Sequence, residues 1–195
     1  MPGAEDDGMP KALKLMSKFV HKEALRVFRI YWKISSSHEK WFDFLCSISI
    51  TLLLLLIIRY ARFPFADLIN FFESLFGTIL TILSVLAGFN VTSVTILSSS
   101  QSPVIAKMKS TLLPDGTTNE LTQFVCYFLW AIILQLTILL YSIILFFLVK
   151  MLTPIDLNFF LIAIAIWLFG ISYSILLSIR NASNIFLFFM ADSNS

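Results

Sequence analysis

The sequence predicts an all-α integral membrane protein with four transmembrane helices and an N-terminal amphipathic helix. Three observations predict it. The chain is 58% hydrophobic and 13% charged over 195 residues, whereas soluble domains run at about 45–50% apolar and about 25% charged. Four separate apolar runs each approach or exceed the ~20 residues a spanning helix needs. Lysines and arginines are shared unequally between the segments that join these runs. A single soluble core could not hide this much apolar surface, so lipid is the expected outer solvent.

The elements follow in order. Residues 1–9 are acidic and Gly-containing and are expected to be disordered. They hold no apolar core or cleavage pattern, so the first long apolar run is expected to serve as an uncleaved signal anchor. Residues 10–40 form a basic amphipathic helix and linker. The transmembrane domain covers 41–180, with spans near 41–58, 68–98, 121–149 and 155–179. Ser36 and Glu39 stand at capping-box spacing ahead of the first span, and Thr117 and Glu120 ahead of the third. Thr153-Pro154 opens the fourth with a cap and a proline at the first helical position, and Arg180 is expected to end it. Between the second and third spans, Ser102-Pro103 reads as a helix start and Pro114-Asp115-Gly116 as a turn, which predicts a short helix over 103–113. In the segment 181–195, the polar tetrad Asn181–Asn184 is expected to bend the chain. The apolar hexamer Ile185–Met190 would then lie on the inner leaflet, pack on a neighbouring subunit or plug a pore.

Eleven of the fourteen Lys and Arg residues fall before the first span, between the second and third, or after the fourth. The positive-inside rule places those segments in the cytoplasm, and the even number of spans agrees. The expected location is the bacterial cytoplasmic (inner) membrane, with both termini inside.

The most specific pattern is the spacing of Lys11, Lys14, Lys18, Lys22, Arg26, Arg29 and Lys33. Steps of three and four keep all seven on one helix face, with Leu13, Met16, Val20, Ala24, Val27, Tyr31 and Ile34 opposite. Three readings are open. The helix lies in the headgroup region on anionic lipid, it senses a polyanion such as an oligonucleotide, or it packs between subunits.

The second span carries a small and hydroxyl-bearing stripe: Glu73, Gly77, Thr81, Ser84, Gly88, Thr92 and Thr95 fall within a wedge of roughly 140°. Asn90 and Ser93 lie outside it. The stripe suits tight helix packing or, in a cyclic homo-oligomer, the lining of a water-filled pore. Glu73 would then form a carboxylate ring at the outer mouth or pair with Arg59 or Arg62. Gln135 is a lone intramembrane amide, expected to hydrogen-bond between helices. Cys46 and Cys126 read as thiols within apolar runs. His21 and His38 form no metal-ligand cluster, and no catalytic motif is present, so no cofactor, metal or enzymatic activity is expected.

The run Leu86-Ala87-Gly88-Phe89-Asn90-Val91-Thr92-Ser93-Val94-Thr95-Ile96-Leu97 resembles a Gly-Phe-x-x-Thr-containing segment of small multi-span proteins of bacterial anti-phage operons. Size, span number and basic arm resemble the membrane effector of the Hailong defence system. The resemblance implies a homotetrameric ion channel controlled by DNA oligomers made by a partner nucleotidyltransferase. It assigns no site residue. The expected function is therefore a homo-oligomeric ion channel of anti-phage defence, gated by a cytoplasmic polyanion. The alternatives are a small multi-span transporter, which would require an intramembrane carboxylate, and a non-conducting anchor or scaffold.

Overall fold

The structure, a computed structural model, describes residues 25–61, 64–113, 116, 118–151 and 157–193. Among these, the chain is helical nearly throughout: α1 (residues 25–34), α2 (Ser37–Ala61), α3 (Phe65–Ser99), α4 (Pro103–Ser110), α5 (Glu120–Met151) and α6 (Leu157–Ser193). Four of them, α2, α3, α5 and α6, are long and apolar enough to cross a membrane. The fold is that of a four-span helical membrane protein. The expected disorder of 1–9, the Thr153-Pro154 cap, and Lys11, Lys14, Lys18 and Lys22 lie outside the described residues.

Local chemistry sets the boundaries. Ser36 Oγ accepts from the Glu39 amide at 3.2 Å and starts α2, while the Glu39 carboxylate accepts from Ser35 Oγ at 3.5 Å. Ser102 Oγ accepts from the Ile105 amide at 3.3 Å, with Pro103 at the first position of α4. This helix ends at Ser110, three residues short of expectation, because the chain turns into a hairpin. There Leu112 pairs with Asn119, the Leu113 amide donates to the Thr118 carbonyl at 2.8 Å, and Gly116 takes φ +64°. The left-handed position falls to the glycine because it has no Cβ to clash. The hairpin delivers Asn119 to the start of α5, where its Oδ1 accepts from the Thr122 amide at 2.8 Å. Asn119, which directly precedes the helix, therefore caps it; Thr117 lies outside the described residues.

The last helix departs most from expectation. α6 runs 37 residues without a break, so Arg180 ends no helix and the tetrad Asn181–Asn184 makes no bend. The reason is that Asn181 is fully buried: its amide donates to Asn90 Oδ1 at 3.2 Å and to the Tyr127 carbonyl at 3.4 Å. A side chain whose amide donates to neighbouring helices does not need to turn out to water.

α3, α5 and α6 pack against one another, and α2 docks on α6. Phe72, Phe76, Leu83, Ile138, Leu145, Phe160 and Trp167 form the main core. Trp167 stacks on Phe76 at 5.4 Å and donates its indole N–H to Ser142 Oγ at 2.8 Å. α2 is built inside out. Asp43, Ser47 and Thr51, one turn apart, are buried against the bundle, while Leu52, Leu53, Leu56 and Ile57 face outward.

At 1.5 Å per residue α3, α5 and α6 are about 48–56 Å long, well beyond a hydrocarbon core of ~30 Å. α1 and α4 stand at one end of the bundle, here termed the basic end. A second cluster forms there from Leu97, Ile105, Met108, Phe128 and Phe188. It fastens α4 and the end of α6 to α5. Within the hexamer, Ile185 and Phe188 therefore pack on their own chain, which removes that face from any plug.

Candidate functional site

The first candidate is the stripe on α3. Gly77, Thr81, Ser84, Gly88, Thr92 and Thr95 are all exposed. The buried residues of this helix, Leu68, Phe72, Leu83, Asn90 and Leu97 among them, lie on the other side of it. At 100° per residue the two faces point roughly opposite ways. A Cβ added to Gly77 or Gly88 would meet no heavy atom within 4 Å. The small residues thus do not serve close packing within the chain. Each hydroxyl is satisfied by its own helix: Thr81 donates to the Gly77 carbonyl at 2.9 Å, Ser84 to Leu80 at 2.8 Å, Thr92 to Gly88 at 2.9 Å and Thr95 to Val91 at 3.0 Å. The hydroxyl oxygens keep lone pairs directed outward.

Glu73 stands at the end of the stripe remote from α1. Its Oε2 accepts from Lys150 Nζ at 2.7 Å and not from Arg59; Arg62 lies outside the described residues. The reason is packing: α5 lies against α3 along its length, whereas α2 sits on α6.

The second candidate is the basic face of α1. Arg26, Arg29 and Lys33 are exposed, as their spacing predicts. The opposite face does not lie open for lipid headgroups. Tyr31 is buried, stacks on Trp130 of α5 at 5.5 Å and meets Tyr127 edge-on at 5.8 Å, and Phe28 contacts Trp130 at 5.1 Å. Lys40 donates to the Trp32 carbonyl at 2.8 Å and closes the C-terminal end of α1. The docked helix stands beside the α4–α5 hairpin, and a cleft of about 580 Å³ opens between them.

The third feature is a buried polar core that sequence reasoning placed only in part. Gln135 is fully buried, and as expected its side chain bridges helices. It donates to Ser178 Oγ at 2.6 Å and accepts from Asn90 Nδ2 at 3.1 Å. Asn90 and Ser93, which fall outside the stripe, prove to be the buried polar residues of α3. One turn from this network Arg180 donates to Asp43 Oδ2 at 2.7 Å and to Tyr31 Oη at 3.0 Å. Its guanidinium lies 5.3 Å from the Tyr127 ring centre and 5.8 Å from that of Tyr31. Arg180 is thus half of a buried ion pair with Asp43 and not the helix terminator its place in the sequence predicts. The signal lay in their setting: a carboxylate with Ser47 and Thr51 at four-residue steps, and a cation within an apolar run.

Fold and features together define the class: a four-span helical membrane protein with an exposed hydroxyl stripe, a docked basic helix and a buried ion pair. Comparison with family models, with characterised proteins and with solved structures finds no match.

Proposed function

We propose that copies of this chain assemble into an ion channel of the bacterial cytoplasmic membrane, gated from the cytoplasm by a polyanion and acting as an effector of anti-phage defence. One observation carries the channel reading: the glycine and hydroxyl stripe of α3 turns away from the core and stays exposed among the described residues, with no heavy atom within 4 Å of a Cβ built on Gly77 or Gly88. A cyclic assembly that brings this face to its axis lines a path with hydroxyl oxygens. These replace part of an ion's hydration without a deep binding well. The helix order agrees with such an assembly. α3 would stand innermost, α5 and α6 behind it, and α2, with its outward leucines, against lipid.

Among the described cations, Arg26, Arg29, Lys33, Lys40, Lys107 and Lys109 sit on the side of α1 and α4, against Arg59 and Lys150 at the other ends of the helices, which supports placing the side of α1 and α4 in the cytoplasm. Gating would be a shift between closed and open populations, driven by differential affinity for the ligand. The contact chain from α1 through Tyr31 and Arg180 to α2 and α6 offers a route for it. The defence role and a tetrameric count rest on the resemblance of the Leu86–Leu97 run alone. A partner nucleotidyltransferase would supply the ligand.

The test is current recording from the purified chain in planar bilayers, with and without short DNA oligomers. Discrete currents that respond to the oligomers and are lost in Ser84→Leu and Gly88→Leu are expected. Absence of current under every ligand, or currents indifferent to both substitutions, sinks the reading.

A further inference from the structure

We infer that the cleft between α1 and the α4–α5 hairpin is a discrete site for a compact phosphate-bearing ligand of nucleotide size. This inference rests on the polyanion reading above and narrows it. The seven-cation stripe by itself suggests diffuse contact along a polymer. The fold instead gathers three of these cations, Arg26, Arg29 and Lys33, on one wall, and sets Thr118, Asn119 and Thr122 on the other. The volume of about 580 Å³ falls inside the range of about 300–1,000 Å³ usual for small-ligand sites.

The two walls do different chemistry. Guanidinium groups bind phosphate oxygens through paired, charge-assisted hydrogen bonds, and lysine adds a mobile point charge. The facing hydroxyl of Thr122 can donate to a further phosphate oxygen. It sits in the first turn of α5, where the helix dipole favours negative charge. Ile30 and Ile34 of α1 and Leu112 of the hairpin also line the cleft and offer apolar surface that suits the flat face of a base. The hairpin holds the second wall in place through the Asn119 cap and the Glu120 amide, which donates to the Thr111 carbonyl at 3.2 Å.

The experiment is fluorescence anisotropy of a dye-labelled, 5′-phosphorylated thymidine dinucleotide against the full chain, in neutral detergent at fixed salt. We expect saturable binding and displacement by pyrophosphate. Arg29→Gln and Lys33→Gln each weaken it about tenfold or more, and Thr122→Val weakens it several-fold with unchanged thermal melting. Lys107→Gln and Lys109→Gln, on α4 outside the cleft, leave it unchanged. Equal losses from the α4 lysines, or no effect of Thr122→Val, would mean diffuse electrostatics and overturn the site. Repetition in nanodiscs separates the sources of phosphate. Equal binding in phosphatidylcholine and phosphatidylglycerol discs supports a soluble ligand, whereas loss in the latter assigns the cleft to a lipid headgroup and overturns the inference. Dinucleotide binding by a chain that carries no current retains the cleft and refutes the channel. Oligomer-dependent currents without dinucleotide binding do the reverse.

Discussion

Replacing Asp43 by Ala leaves Arg180 as a buried cation without its counter-charge. The two side chains are 7% and 15% exposed and 2.7 Å apart. Breaking one side of such a pair costs about 3–5 kcal/mol, because the remaining charge stays desolvated. Two details set the figure at the lower end. Tyr31 Oη still accepts one guanidinium hydrogen bond, and the Tyr127 ring offers a cation–π contact of about 1 kcal/mol. Arg180 Nε, by contrast, is a buried donor with no partner among the described residues, so the site offers no spare acceptor to replace the carboxylate. The expected loss is therefore about 3 kcal/mol. The same logic makes the joint change Asp43→Leu with Arg180→Met far milder, within about 1 kcal/mol of the parent, since it removes both desolvated charges together. Reversible SDS unfolding, followed by tryptophan fluorescence, measures the four corners of the cycle. A single-variant loss below about 1 kcal/mol would refute the reasoning. So would a double variant whose cost equals the sum of the single ones, because that would mean the two charges are uncoupled.

Four further outcomes are expected. A Cβ on Gly170 would lie 3.1 Å from Ile138 Cγ1, so Gly170→Ala should lower unfolding stability, with recovery in Gly170→Ala/Ile138→Ala. Gly88→Ala, which meets open space, should cost nothing in the same assay. Phe188→Ala should cost about 3 kcal/mol by emptying the cluster it shares with Leu97, Ile105 and Met108, and limited proteolysis should then cut the α4–α5 connection sooner; unchanged cleavage would count against α6 as its fastener. Lys150→Ala breaks a pair whose side chains are 51% and 26% exposed, so stability should move by less than about 1 kcal/mol. If α3 lines a channel, the freed Glu73 carboxylate should also shift reversal potentials toward greater cation preference; a shift toward anions would place Glu73 away from the path.

Much of the fold was legible because spanning helices must satisfy their own backbones in lipid. Apolar runs between caps therefore read directly as α2, α3 and α5. The stripe on α3 was legible for a related reason: a period of ~3.6 needs no knowledge of neighbours. What neighbours decide was not legible. Nothing in the spacing says whether Glu73 lies nearer Arg59 or Lys150. The choice depends on α5, not α2, lying along α3. The cleft beside Arg26, Arg29 and Lys33 was hidden likewise, since its second wall comes from a hairpin about 80 residues further along the chain.

The expected end and bend of α6 share one physical cause, and that cause bears on function. Judged by the cost of a polar group in lipid, Arg180 belongs at a span end and Asn181 at a bend. In the fold both hydrogen-bond to other helices, so the cost that would have broken α6 is offset by Asn90, Tyr127, Asp43 and Tyr31. The same test separates the two polar faces of α3. Asn90 and Ser93 are buried within the chain itself, whereas the stripe from Gly77 to Thr95 stays exposed and meets no other helix among the described residues. Polar groups with intrachain partners explain how the protomer holds together. On the channel reading proposed above, the exposed stripe would meet water on the axis of an assembly, which hydroxyl oxygens can use.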